Sequence, residues 1–143
     1  MKISSRLSIA LHMFACMEYF KNDHKITSDF IASSVGVNPV IIRKITSQLR
    51  NAGLVNVARG TGGVSIAKAP ENISLLDVFN AVDSIEEGRL FSFHENPNEE
   101  CPVGGHIHLI LDDKLERVQK AMEKEMSLIT VADTIKDTEK YAG

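Results

Sequence analysis

The chain has 143 residues, 43% hydrophobic and 24% charged, so we expect one domain with a hydrophobic core of its own. Two cysteines, Cys16 and Cys101, stand far apart and outside any CxxC motif, which excludes a secreted disulfide framework and favours the cytoplasm. Lys2 and Arg6 precede an apolar run, but His12 interrupts that run and no cleavage site follows. We therefore expect neither a signal peptide nor a membrane span.

The net charge of −3 hides an uneven distribution. Residues 1–68 hold nine Lys or Arg and three acidic residues, a balance of +6, whereas residues 69–143 hold seven Lys or Arg and sixteen acidic residues, a balance of −9. No acidic residue lies between Phe30 and Pro70. Chance clustering on a solvated surface is the simpler explanation, but a whole candidate domain without carboxylates is more typical of a polyanion-binding half.

Three helices are predicted in the first third of the chain. Apolar residues recur at helical spacing over residues 5–20. A second helix is expected to start with Ser28 as its N-cap and to end at Gly36. The third helix follows the N-cap residue Asn38, carries proline at its first position and closes at Gly53.

The second and third helices meet at the short turn SVGVNP, which predicts a helix-turn-helix. On a helical wheel, the side with Ile41, Ile45, Leu49 and Ala52 would pack inward. The opposite side offers cations and hydroxyls without carboxylates. This favours a recognition helix in a DNA major groove over an ordinary amphipathic helix. The residues predicted on that side are Arg43, Thr46, Ser47 and Arg50, with Val40 nearby.

The stretch VARGTGGVSIAK predicts a β-hairpin, because two short β-branched runs flank the glycine cluster of residues 60–63. It lacks the Gly-Lys-Ser/Thr ending of a Walker loop and the GxGxxG of a dinucleotide site, and no helix follows directly. We interpret it as the wing of a winged helix, with Arg59 and Thr61 against the DNA backbone or in the minor groove. A plain glycine turn with a solvated arginine is the alternative.

The second half of the chain predicts one short helix capped by Ser74, a loop over residues 85–105 with an optional strand at RLFSF, and a long helix from about Ile107. TVAD resembles a capping box and would start a last helix through Thr138. The long helix has a narrow apolar seam near the heptad period, which favours pairing with a second copy over packing on its own domain. The seam consists of Ile107, Leu111, Leu115, Val118, Met122, Met126 and Ile129.

The expected fold class is therefore mainly α with a small β-hairpin. Residues 1–84 would form a winged helix-turn-helix DNA-binding domain and residues 85–105 a loop. Residues 106–143 would form a dimerisation helix with a short C-terminal segment.

Several motifs together resemble one family. They are MKISSRLSIALHM, NPVIIRKITSQLRNAGLV, RGTGGVSIAK, SLLDVFNAVD and the isolated CPVG ahead of the long helix. The pattern resembles the Rrf-two-type family of small bacterial regulators, which includes IscR, NsrR and CymR, over nearly the whole chain. The resemblance implies a homodimeric winged-helix DNA-binding regulator, usually a repressor, that binds a near-palindromic operator and responds to a small-molecule or redox signal.

Some members of that family carry an iron–sulfur cluster on three closely spaced cysteines in the loop before the dimer helix. This chain has only Cys101 there, and one thiolate is a poor basis for a cluster. We therefore expect no three-cysteine cluster and predict no cofactor. A weaker alternative joins Cys101 to His12 or His106 at the dimer interface.

Both cysteines are candidates for redox sensing. Cys101 lies ahead of a helix, although Glu99 and Glu100 are expected to raise its pKa. Cys16 lies among apolar residues of the first helix and is expected to be buried. Some members of the resembled family sense oxidants through a cysteine of the first helix, so the resemblance makes Cys16 a candidate as well.

Three functions follow, and a DNA-binding regulator is preferred to the other two. A metal-dependent enzyme would use the loop with His94, His106 and His108, but their spacing matches no metalloenzyme motif. A protein-binding adaptor would use the winged helix for a protein partner. The residues predicted to contact DNA are Lys2, Ser4, Arg6, Ser28, Pro39, Val40, Arg43, Lys44, Thr46, Ser47, Arg50, Arg59, Gly60 and Thr61.

Overall fold

The computed structural model describes residues 4–60, 63–83, 90–91 and 93–143. Its described elements confirm a mainly α fold with one two-stranded antiparallel hairpin. No helix in these ranges is long and apolar enough to cross a membrane. The elements are α1 (Arg6–Tyr19), α2 (Ser28–Val35), α3 (Pro39–Asn51), β1 (Val55–Val57), β2 (Val64–Ile66), α4 (Leu75–Val82), α5 (Ile107–Leu128) and α6 (Val131–Ala142), with 3₁₀ turns at Pro70–Asn72 and Gly104–His106.

The helix-turn-helix has the expected turn but a different first cap. Thr27, not Ser28, is the N-cap of α2: its backbone is extended and its hydroxyl accepts a hydrogen bond from the Phe30 amide at 3.1 Å. Ser28 is already helical, so the prediction that it caps α2 is wrong. The prediction for α3 is confirmed, because the Asn38 side chain accepts from the Val40 amide at 2.9 Å.

Capping boxes start α4 and α6. Ser74 and Asp77 exchange side-chain to backbone hydrogen bonds at the start of α4, at 3.0 Å in both directions. Thr130 and Asp133 do the same at the start of α6, which confirms the TVAD prediction. Reciprocal caps of this kind satisfy amides that a helix start leaves without partners.

The start of α6 is also bonded directly to the start of α4. The Leu75 amide donates to the Ile129 carbonyl and the Val131 amide donates to the Ile73 carbonyl, both at 2.8 Å. Val131 is fully buried in the main core, and α6 packs along α1. The end of the chain therefore belongs to the same packed body as its beginning.

The main core is built around α1, which buries Met13, Phe14 and Met17 and packs on α2, α4, α6 and β2. The buried stripe of α3 differs from the predicted one. Ile42 is fully buried, whereas Ile41 is 41% exposed. Both are isoleucines at the edge of one apolar arc, so the sequence pattern could not decide which of them faces the core. Ala52 is the C-cap of α3 and is exposed.

A second, smaller core joins α5 to α4. Phe79, Leu90 and Met126 form it, with Met122 packed at its edge. Met126 is only 9% exposed. The prediction that this end of the seam faces a second copy is therefore wrong, because α4 supplies the apolar partner from the same chain.

The hairpin pairs Val55 with Ile66 and Val57 with Val64, and it is anchored to the segment that precedes α2. The Val64 amide donates to the Ile26 carbonyl at 2.9 Å. Gly63, beside it, has a φ of +83°, and an added Cβ there would lie 2.9 Å from the same carbonyl oxygen. The hairpin can approach this segment so closely only because residue 63 has no side chain.

Replacing Gly63 by Ala should therefore destabilise the domain more than the same change at Gly60, which also has a positive φ but has no atom within 4 Å of an added Cβ. We expect Gly60→Ala to cost about 1 kcal/mol from backbone strain alone. Gly63→Ala should cost roughly 2–4 kcal/mol, because the clash adds to that strain. Urea unfolding of both variants measures the difference, and equal losses would show that the close approach carries no energy.

Candidate nucleic-acid interface

A groove of about 460 Å³ lies between α3, the start of α2 and the hairpin. Hydroxyl groups of Thr27, Ser28 and Ser47 line it, and Asp29 is the one carboxylate on its described wall. Arg43 and Arg50 project from α3 on one side, and Gly60 marks the hairpin side. The groove is therefore a polar trough with cations at its edge.

The cations around this groove are solvent-exposed and available. Arg43, Lys44, Arg50 and Arg59 are all exposed. None of them takes part in a salt bridge within the described ranges, where the three ion pairs lie elsewhere. Cations without ion-pair partners, beside hydroxyls, form a surface that attracts phosphate, and Asp29 is the one carboxylate on the described wall.

Thr46 lies deeper than predicted. The sequence placed it on the exposed side of α3, but it is 8% exposed and its hydroxyl donates to the Ile42 carbonyl at 2.7 Å. That face assignment is wrong, because α3 turns its Ile42 and Ile45 edge fully inward and carries Thr46 with it. Thr46 therefore forms part of the groove floor, and Ser47 offers the free hydroxyl.

Ser4 and Arg6 have partners within the domain. The Arg6 guanidinium is half-buried and donates to the Gln48 side chain and to the Val82 carbonyl, both at 3.4 Å. The Ser4 hydroxyl donates to Asp83 at 3.1 Å. These contacts join the start of α1 to α3 and to the end of α4, and phosphate contact by either residue stays a prediction. Lys2 and Thr61 lie outside the described residues.

Sequence reasoning missed three residues at this site. Thr27 caps α2 and lines the groove, and Asp29 lines the same wall. Gln48 links α3 to Arg6 and, through its side-chain amide, to the Val82 carbonyl at 3.4 Å. The spacing from Thr27 to the third helical amide could have identified the cap. Nothing in the local sequence indicates the contacts of Gln48, which join distant segments.

The loop before α5 holds Cys101 in an unexpected electrostatic environment. Hydrogen bonds from the backbone amides of Gly104 and Val103 lower the pKa of the Cys101 thiol. The expectation that Glu99 and Glu100 raise this pKa is wrong, because the turn ahead of α5 directs amide dipoles at the sulfur. Amide donors stabilise the thiolate, which is the nucleophilic form.

The residues of this loop do not fit a three-cysteine iron–sulfur cluster. The chain has two cysteines in all, and Cys16 lies in α1. Across the described ranges, no three His, Cys, Asp or Glu side chains converge as a metal site would require. His106 donates through Nδ1 to the Pro102 carbonyl at 2.7 Å. The loop therefore supplies fewer thiolate ligands than a three-cysteine cluster needs.

Cys16 is buried and linked to the surface by a short hydrogen-bonded chain. Its thiol donates to the Ser34 hydroxyl at 3.4 Å, and the same hydroxyl lies 2.9 Å from Nε2 of His12. The chain connects α1 to α2 beneath the helix-turn-helix. His12 thus has a partner inside its own chain.

A helix-turn-helix with a β-hairpin packed beside its second helix is a winged helix. The exposed cations on that helix and at the hairpin define the chain as a winged-helix DNA-binding protein. The family comparison agrees: the model of the Rrf2 family, described as "Iron-dependent Transcriptional regulator", matches residues 3–137. The chain belongs to the Rrf2 family.

Two similar proteins are also described as transcriptional regulators. "Putative HTH-type transcriptional regulator YwnA" of Bacillus subtilis (strain 168) is 42% identical over 133 residues, which cover 93% of this chain and 96% of the relative. "Putative HTH-type transcriptional regulator YwgB" of the same organism is 26% identical and covers 94% of this chain and 86% of the relative. The protein is a DNA-binding transcriptional regulator of this family.

Solved structures share the fold. One described as "a putative DNA binding protein" is 34% identical with a TM-score of 0.72, over 92% of this chain and 99% of that one. The structure of T. potens IscR is 25% identical with a TM-score of 0.69, over 98% of this chain and 90% of that one. The oxidised form of Staphylococcus aureus CymR, at 22% identity and a TM-score of 0.63 over 94% of this chain and 96% of that one, shows the fold alone.

The lowered pKa of Cys101 should make this thiol the faster of the two to react. Alkylation proceeds through the thiolate, so its rate rises with pH and levels off above the pKa. We expect the rate at Cys101 to level off at a lower pH than for a cysteine in an unstructured peptide, and Cys16 to react far more slowly because it is buried. Timed iodoacetamide labelling read by mass spectrometry measures both. A midpoint at or above that of the peptide would contradict the amide contacts.

Proposed function

We propose that this regulator acts as a homodimeric repressor that binds a near-palindromic operator. The observation that carries the proposal is the groove between α3 and the hairpin, with its exposed arginines and its hydroxyl lining. Repression follows from occupancy, because a protein seated in the major groove excludes other proteins from the same DNA. Among the described residues, no comparable site supports the alternatives, a protein-binding adaptor and an enzyme.

The N-terminal half of α3 would enter the major groove. Val40 is 56% exposed and stands beside the exposed Ile41, so the helix start offers an apolar surface suited to thymine methyl groups. Arg43 and Ser47 follow one helical turn further along, and Arg50 lies beyond them. Arginine forms paired hydrogen bonds with guanine, and each good base contact discriminates by about 1–3 kcal/mol.

The hairpin and the α2 start would hold the DNA backbone. Arg59 is exposed on the hairpin, and the hydrogen bond from Val64 to Ile26 fixes the hairpin relative to α2. Thr27 and Ser28 add hydroxyls at the positive end of α2, where backbone amides favour phosphate. Lys44 and Pro39 lie on the exposed side of the α3 start. These contacts would set affinity and orientation, while α3 sets sequence preference.

A second copy is needed because one recognition helix reads only a half-site. Two-fold dimers of helix-turn-helix proteins place their recognition helices about 34–36 Å apart along one DNA face. The α5 helix leaves large apolar side chains in solvent, including Val118 at 53% and Leu128 at 65% exposure. Apolar surface on a long exposed helix is best explained by a partner helix.

The protein is proposed to work without catalysis and without a cofactor. The histidines of the candidate metal loop have separate surroundings: His106 bonds to a carbonyl, and His108 lies 3.2 Å from Asp112 on the same helix. His94 lies beside the Phe93 ring. No third ligand joins them among the described residues. The relatives named above are regulators, not enzymes.

A redox signal would act through Cys101. Its thiol is half-buried, its pKa is lowered by two amides, and it lies directly ahead of the helix proposed to dimerise. Oxidation at this point would change the charge and size of a group at the base of α5. Cys16, in contrast, is buried between α1 and α2 and would react only after local opening.

Two alanine substitutions should separate the phosphate and base contacts. Arg59→Ala should weaken binding about equally on all DNA sequences and reduce the slope of log affinity against log salt by about 1. Arg50→Ala should weaken binding to the selected operator by roughly 1–3 kcal/mol and relax preference at one base pair. Fluorescence anisotropy at several salt concentrations, on operators selected from random duplex DNA, measures both.

Lys136→Ala is the matched control, because it removes one exposed cation from α6, away from the groove. We expect its affinity and salt slope to match those of the unaltered protein. An Arg59→Ala variant with unchanged affinity would disprove the wing contact. Failure to select any duplex at low salt would overturn the DNA interface itself.

A further inference from the structure

The α5 helix has two apolar faces that point in different directions. Met122 and Met126 face α4 of the same chain. A second stripe, of exposed or half-exposed residues, occupies about a 100° arc whose centre is turned about 90° around the helix axis from these methionines. We call it the outer stripe; it consists of Leu111, Lys114, Val118, Ala121, Glu125 and Leu128.

The outer stripe is spaced for helix pairing. Its members follow one another at steps of three and four residues, which is the a and d spacing of a two-helix seam. The predicted seam contained only Leu111 and Val118 of this set, because it followed the arc that the structure turns toward α4. The outer stripe lies on a part of α5 that its own chain leaves uncovered.

The outer stripe is also symmetric about the peptide bond between Gln119 and Lys120. Val118 and Ala121 stand at equal distances on either side of this point. Further out stand Lys114 and Glu125, and at the ends Leu111 and Leu128. Each residue therefore has a counterpart of matching chemistry: small apolar with small apolar, cation with anion, leucine with leucine.

We infer that the outer stripe pairs antiparallel with the outer stripe of a second copy, in a register that places Lys114 opposite Glu125 of the partner subunit. The inference rests on the proposed homodimer and specifies its interface. An isologous two-fold contact applies the same residue pairs twice, so this register forms two Lys–Glu pairs, two leucine pairs and two Val–Ala pairs.

The charges select this arrangement over its rivals. In a parallel pairing, Lys114 would lie beside Lys114 of the partner subunit, and Glu125 beside Glu125 of the partner subunit. Like charges brought together across an interface disfavour association. A slip of one heptad in the antiparallel arrangement would set Lys114 against an apolar residue. Neither charge has an ion-pair partner among the described residues, so both are available to a second copy.

Charge reversal tests the register. Lys114→Glu should place two glutamate pairs at the interface, and Glu125→Lys two lysine pairs. We expect either change to raise the dimer dissociation constant by at least about tenfold. The double variant K114E/E125K restores two opposite-charge pairs and should dimerise within about threefold of the unaltered chain. Sedimentation equilibrium measures all four proteins.

Mixing the two single variants gives a second test of charge pairing. In a heterodimer of K114E with E125K, one subunit carries both glutamates and the other both lysines. Both pairs are then attractive. We expect the mixture to form dimers at concentrations where each variant alone is monomeric.

The controls carry the same charge changes away from the outer stripe. Lys120→Glu and Asp113→Lys alter exposed residues of the same helix that lie about 110–130° around its axis from the centre of the outer stripe. Their dissociation constants should stay close to that of the unaltered chain. Circular dichroism of every variant checks that α5 has folded.

The outcomes separate the register from the dimer. If the unaltered chain sediments as one subunit, the proposed homodimer fails. If it is a dimer and both single reversals dimerise as it does, the dimer stands and the antiparallel register is wrong. If the singles weaken the dimer and the double variant does not recover, the register is also wrong, because the two charges would not face each other.

Discussion

The burial of one edge of α3 against α2, α4 and β1 is the constraint on which this structure depends. Ile42, Ile45 and Leu49 are at most 1% exposed in the main core. Emptying such a site by a Leu-to-Ala change typically costs about 2–5 kcal/mol, so α3 cannot rotate without unpacking the domain. The opposite edge, with Arg43, is therefore held outward as a fixed property of the packing.

The hairpin turns that exposed helix face into a groove. Its position depends on one backbone hydrogen bond, from Val64 to Ile26, and on the absence of a side chain at Gly63. With the hairpin held beside α3, Arg43 and Arg50 border a trough whose other side includes Ala58 and Gly60 of the hairpin. In the proposed complex, a phosphate backbone following that trough would meet Arg50 on one side and the hairpin, with the exposed Arg59, on the other.

The acidic half of the chain has a different task. Its last helix returns to α1 and completes the main core, while α5 divides its surface between its own domain and solvent. Most of the acidic residues lie in this half, away from the DNA groove. The separation leaves Asp29 as the one carboxylate on the described wall of that groove, and in the proposed homodimer the charged side chains of α5 would define how two copies meet.

Local features could be predicted from the sequence because their causes lie within a few residues. The cap at Asn38, the capping boxes at Ser74 and Thr130, and the hairpin at the glycine cluster all depend on a side chain and a nearby amide or on a positive φ. The family motifs could be recognised for the same reason, because each is a short stretch of sequence. With the run free of carboxylates, these features were sufficient to identify a winged-helix regulator.

What the sequence could not decide was which neighbour each ambiguous side chain would meet. Ile41 and Ile42 are equally apolar, and only the docking of α3 on α2, α4 and β1 chose between them. That docking also buried Thr46, and the separate packing of α5 on α4 turned Met126 toward Phe79. The spacing of apolar residues in α5 predicted one apolar face. The structure has two: one packs on α4, and the outer stripe is left exposed. Periodicity reports which residues share a helix face, but the direction of that face is set by the free energy of packing against distant segments.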